Sequence, residues 1–170
     1  MTKTLVSIGA VTALLCSVSL ALAADNASQK FVKMGIQGNL AEVSMGQLAQ
    51  EKGQSEGIKS FGQQLVKDHT DANQKLMGVA SSVSLTPPTE PTRKQMADHD
   101  KMAKMSGAKF DREFAKHMVM DHKKDIKDYE KATKMRNADA VASYANQTLP
   151  TLNQHLEMAQ SLAKSSGKGM

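Results

Sequence analysis

Four stretches of this chain carry apolar residues that step by three and four, and no stretch alternates convincingly with period two. That pattern restricts the chain to packed helices: steps of three and four keep one helical face apolar, whereas a half-buried strand needs a step of two. Phe31, Met34, Gly38, Ala41, Met45 and Leu48 mark the first stripe. Its helix is expected from about Asn26, an N-cap candidate, to Lys52, with Gly53 as the stop. Ile58, Phe61, Leu65, Ala72, Leu76 and Val79 predict a second helix over about Ser55 to Ala80. Phe110, Phe114, Met118, Tyr129 and Ala132 predict a third, and Val141, Ala145, Thr148, Leu152, His155, Ala159 and Leu162 a fourth. Pro150 falls inside the fourth pattern, where it removes one backbone donor; a kink is expected there, with the periodicity surviving on both sides.

The connections decide how the helices pair. Short loops inside each pair force antiparallel hairpins. The link between pairs is long, with Thr86-Pro87-Pro88-Thr89-Glu90-Pro91 breaking the chain before a short amphipathic piece, Thr92 to Met105, that Ser106-Gly107 ends. The expected fold is all-α: a ferritin-like four-helix bundle of two antiparallel hairpins joined by a long crossover with a short helix. Aromatic residues make up only 4% of the chain and Trp is absent, which fits helices better than a β-sandwich. The first helix has a second stripe, Val32, Ile36, Leu40 and Val43, and Met96, Met102 and Met105 of the crossover are expected to lie across it; a weak dimer contact is the rival, so the chain is expected as monomer or weak dimer.

The N-terminus reads as an address. Lys3 precedes an uncharged run, Leu5 to Leu22, and Ala21-Leu22-Ala23 has the small-x-small form that a signal peptidase cuts. Residues 1–23 are thus expected to be a cleaved signal peptide and 24–170 a single exported, periplasmic bundle domain, with no stable membrane insertion after cleavage. Cys16 would leave with the signal, so the mature chain has no thiol chemistry. The net charge of +5 comes without a dense Arg or Lys cluster or an aromatic platform, so no nucleic-acid partner is expected.

One internal echo carries chemistry. Phe61-Gly-Gln-Gln-Leu-Val-Lys-Asp68-His69 returns as Phe114-Ala-Lys-His-Met-Val-Met-Asp121-His122. His69 lies near the middle of its apolar face, His155 sits on the fourth stripe, and Glu42 flanks the first beside Gly35, Gly38 and Gly46, where another helix can approach closely. Counted from the hairpins, Glu42 and His69 differ by ~6 Å in level and His122 and His155 by ~4.5 Å, within side-chain reach. Glu42, His69, His122 and His155 are therefore the candidate metal ligands, a set suited to Fe, Cu or Zn, with Asp68 and Asp121 as outer partners. The competing reading is a satisfied polar network that sets helix register. His99 and His117 read as surface residues, and the methionines of the crossover as flexible packing rather than a copper set. There is no nucleophile–base motif or phosphate loop, so a non-enzymatic binding or envelope stress-related protein stands beside the metalloprotein alternative.

The segments Leu40-Ala41-Glu42-Val43, Val66-Lys67-Asp68-His69, Phe110-Asp111-Arg112, Met118-Val119-Met120-Asp121-His122 and Thr148-Leu149-Pro150-Thr151-Leu152-Asn153-Gln154-His155 resemble a family of exported bacterial proteins known as domain of unknown function 4142. The resemblance spans about Gln29 to Ala163 and implies a ferritin-like four-helix fold and export, without an activity. Ferritin-like oxidases carry Glu three residues before the ligating His. Here those positions hold Val66, Val119 and Leu152, so a carboxylate-bridged di-iron centre of that type is not expected.

Overall fold

The computed structural model describes residues 11–167, with side chains from Asn26 onward. Every regular element among the described residues is a helix: α1 (Val11–Lys52), α2 (Glu56–Ser82), α3 (Arg93–Ala103), α4 (Gly107–Ala132) and α5 (Asp139–Ser166). The signal-peptide reading falls on residues 1–23, of which 1–10 lie outside the described residues and 11–23 are described only as helical backbone. α1 does not begin at Asn26 as expected: its helical backbone already runs through the described residues before it, from Val11 on. The Leu- and Ala-rich run before Asn26 has high helix propensity and nothing in it breaks the helix. Among the described residues no helix is long and apolar enough to cross a membrane.

Local chemistry sets the other ends. Ser55 caps α2, its side chain accepting from the Ile58 amide. Thr92 starts α3 with a capping box, since Thr92 accepts from the Gln95 amide while the Gln95 side chain accepts from Thr92. α5 runs through Pro150 unbroken; the orphaned carbonyl belongs to Asn146, an exposed residue that water can reach.

α1 packs against α2 and α4 against α5, while α2 also packs on α5. Both pairs are antiparallel. An ideal Cβ on Gly46 would come within 2.6 Å of the Gly62 carbonyl and one on Gly35 within 2.6 Å of Leu76, so higher numbers on α1 meet lower numbers on α2. The same order holds for Tyr129 with Tyr144 and His122 with His155. Gly35 and Gly46 thus permit close approach, but Gly38 does not, because nothing lies within 4 Å of its Cβ position.

The core comes in two parts. One gathers Phe31, Val32, Ile36, Leu76, Ile126, Tyr129, Val141, Tyr144 and Leu152. The other gathers Met45, Leu48, Ile58, Phe61, Leu65, Met102, Phe110, Phe114 and Met118. The second stripe of α1 is covered by this core and not by the crossover: Val32 and Ile36 are fully buried among residues of α2, α4 and α5. A bundle helix with neighbours on two sides must bury a wide face, which removes the need for a lid. α3 instead borders α1 near Ala41, Ser44 and Gln47, with Met96 exposed and Met102 tucked into the second cluster.

Candidate metal centre

A polar layer lies between the two apolar clusters. On each long helix the core residues stop on one side of it and resume on the other: Ile36 and Met45 on α1, Leu65 and Leu76 on α2, Met118 and Ile126 on α4, Leu152 and Ala159 on α5. The gaps hold Asn39 and Glu42, His69, His122 and His155, all buried at 4% exposure or less. The repeated Asp-His echo reflects this, since α2 and α4 each supply one imidazole at the same level.

The three rings converge. Their centroids are 5.3–5.9 Å apart, and one nitrogen from each lies within 4.8 Å of the others. Protonation follows from the outward partners. His122 Nδ1–H donates to the Met118 carbonyl at 3.0 Å, and His155 Nε2–H donates to Asp68 Oδ2 at 2.9 Å. His69 Nδ1–H donates to Asn39 Oδ1 at 2.9 Å. A neutral imidazole has one proton. The nitrogens left over are His69 Nε2, His122 Nε2 and His155 Nδ1, each with a lone pair. His122 Nε2 and His155 Nδ1 face each other at 3.3 Å, and His69 Nε2 has no hydrogen-bond partner.

Electrostatics hold the rings neutral. Burial, then the neighbouring His122 and His155, pushes His69 well below the usual histidine range. Burial and His155 bring His122 down to about 4, and burial lowers His155 against the opposing pull of Asp68. Asp68 stays ionised, because burial is outweighed by hydrogen bonds from Gln64 and His155. Protons are therefore a poor solution for the facing lone pairs at neutral pH, while a cation that accepts them is a good one.

Glu42 lies beside this trio rather than within it. Its Oε1 is 4.0 Å from His122 Nδ1, the nitrogen already bound to Met118, and neither carboxylate oxygen has a hydrogen-bond partner. Burial, then Asp121 and Asp125, pushes its carboxyl well above the usual range. Asp121 stands next to Glu42 and makes no bond to the imidazoles. A cavity of about 390 Å³ between α1, α3 and α4 reaches Glu42 past Asp98, His117 and Asp121. A larger one of about 630 Å³, between α3 and α4, is lined by Met102, Met105 and Met120 and touches none of the three imidazoles, so volume does not mark the site.

Sequence reasoning missed the roles of four buried residues, three behind the imidazoles and one outside the layer. Asn39 orients His69, and its spacing of three from Glu42 was the available signal. Tyr144 and Tyr129 stand behind Asn39; Tyr129 read only as part of the third apolar stripe, and Tyr144 carried no reading. Asp111 is buried and accepts the Gln54 and Ser55 amides at 2.8 and 2.9 Å, tying the first hairpin to α4.

Fold and site together define an all-α four-helix bundle whose centre holds three buried imidazoles able to take a metal ion. Residues 17–162 match the family described as "Domain of unknown function (DUF4142)", and the chain belongs to that family. Its fold is also that of the crystal structure of a DUF305 fragment from Deinococcus radiodurans, with a TM-score of 0.71, at 12% identity over 82% of this chain and 96% of that one. No curated protein matches the sequence.

Proposed function

We propose that this protein is an exported metal-binding bundle that holds one divalent transition ion on His69, His122 and His155. The observation that carries the reading is the set of outward bonds. An oxygen takes the outer N–H of every ring, as expected of metal-ligating histidines whose second nitrogen is fixed by a carboxylate, carbonyl or amide. Two donors on a tetrahedral ion ~2.0–2.1 Å away sit about 3.3 Å apart, the separation found between His122 and His155. Three neutral imidazoles suit Zn, Cu or Fe; Glu42, on the far side of His122, is not among the donors that converge. Asp68 and Asp121 act from outside, Asp68 by holding His155. The activity is binding rather than turnover, in the envelope, after removal of residues 1–23.

Elemental analysis after native purification tests the ion, followed by reconstitution of the stripped protein with Zn2+, Cu2+ or Fe2+. About one equivalent is expected, and His155→Ala should lose it. Less than one equivalent of any transition metal, with no retention after reconstitution, would end the proposal. Intact mass of the envelope-fraction protein checks the export reading: a mature chain should begin at Ala24.

A further inference from the structure

Two of the three inward lone pairs are held by unambiguous acceptors, a helical carbonyl on His122 and a carboxylate on His155. His69 differs, because its partner is an amide, which can face a ring with either its oxygen or its NH2 group. With the NH2 turned towards it, His69 Nδ1 would have to accept, and the proton would move to Nε2. That N–H would point at the other two imidazoles and remove the lone pair an ion needs.

In the structure the amide oxygen faces the ring and the NH2 group faces outward, towards the next contact in the chain. Asn39 Nδ2 donates to the Tyr144 hydroxyl at 3.4 Å, and that hydroxyl lies 3.4 Å from the Tyr129 hydroxyl. Asn39, Tyr144 and Tyr129 are all within 4% of full burial, so none has bulk water as an alternative partner. Phe31 packs edge-on against both tyrosine rings, at centroid distances of 5.0 and 6.5 Å, which holds the hydroxyls in place.

We propose that Asn39 and Tyr144 are positioning residues: Tyr144 takes the Asn39 amide N–H, Asn39 thereby offers its oxygen, and His69 is fixed as the Nδ1–H tautomer with Nε2 free for an ion. The proposal rests on the metal-binding reading of the site, but the tautomer is measurable without metal. Through this chain the Tyr129–Tyr144 pair in one apolar cluster acts on ligand geometry in the middle of the bundle.

The test uses the full chain labelled with 15N-histidine, stripped of metal at pH 7.5, with long-range 1H–15N correlation reading each ring's tautomer. His69 should carry its proton on Nδ1 in the wild type and in Asn39→Asp, whose carboxylate can only accept. Asn39→Leu should lose that preference, and Tyr144→Phe should show a mixture of tautomers. Zn2+ is the probe for affinity. Asn39→Leu should weaken it about 10–100-fold, Tyr144→Phe by less, and Asn39→Asp should restore it. If Asn39→Leu fails to fold, Tyr144→Phe and Asn39→Asp carry the comparison. A wild-type His69 protonated on Nε2 overturns the proposal. So does persistence of the Nδ1–H tautomer in every variant, whatever happens to affinity, because any loss would then be structural. If the tautomers behave as expected and no ion is retained, the metal reading falls and the positioning chain stands.

Discussion

Asp111 shows how much one buried carboxylate can do outside the candidate site. Its two oxygens accept the Gln54 and Ser55 amides in the turn between α1 and α2, a turn with no other partner for those donors among the described hydrogen bonds. Charge-assisted bonds to backbone amides are worth more than neutral ones, and removing the acceptor leaves both donors stranded. Asp111→Ala should cost about 2–4 kcal/mol in urea unfolding, and Asp111→Asn, with one acceptor oxygen instead of two, roughly half of that. A loss below the error of the measurement in both variants would show that the turn holds itself. The same accounting at residue scale explains why Glu42 is costly to the fold: it is buried with both oxygens unpartnered, a state that favours its neutral form.

At the scale of elements, the α1–α2 hairpin closes because glycine backbones touch. A Cβ on Gly62 would sit 2.6 Å from the Gly46 carbonyl and 2.8 Å from the Ala49 side chain. Neither obstacle can swing away as a long side chain could. Gly62→Ala gains helix propensity of about 1 kcal/mol yet must push the two helices apart, so a net loss of about 1–3 kcal/mol is expected. Gly38 and Gly78 have open space at their Cβ positions, and alanine at either should stabilise by about 0.5–1 kcal/mol. Thermal midpoints of the three variants give the comparison; a stabilised Gly62→Ala would contradict the close contact. This contrast within one helix pair could not be read from glycine spacing alone, since Gly35, Gly38 and Gly46 look equivalent along the α1 stripe.

For the whole molecule, pH reports on the buried layer. The folded pKa of His122 is depressed to about 4 from an unfolded value near 6.5, and those of His69 and His155 are also lowered. Between these values the unfolded chain binds more protons, so stability is present above the unfolded pKa and fades as pH falls towards the folded one. For His122 alone the loss from pH 7.5 to 5.5 is about 1 kcal/mol. Glu42 and Asp125 run the other way: both are raised by burial first, Asp125 to about 6, so the folded protein takes up their protons on acidification. With the sign set by the three imidazoles, the metal-free protein should melt at a lower temperature at pH 5.5 than at 7.5. Glu42→Gln removes one opposing group and should steepen the fall. A midpoint that rises on acidification in both proteins would exclude buried neutral imidazoles.

Helix type, pairing and the crossover were legible in the residues themselves, because a three–four step, a Gly stop and a proline run act over one or two turns of chain, whereas the Asn26 cap was not used. The level of the polar layer was legible for a similar reason: helical rise is constant, so counting from each hairpin puts Glu42, His69, His122 and His155 at nearby depths. Other features depended on groups from different helices meeting. Which nitrogen of each ring faces inward follows from Met118, Asp68 and Asn39, two of which lie on other helices than the ring they hold. That Glu42 lies against the far side of His122 while the three imidazoles face one another depends on rotations about helix axes, which apolar spacing defines only to a broad arc. The course of α3 was likewise decided by competition: the core took Val32 and Ile36 first, leaving the crossover a polar shoulder of α1. Sequence determined the helices and the height of the layer; convergence, tautomer and burial belong to the tertiary structure, because hydrogen bonds and lone pairs are directional and their partners lie on separate segments.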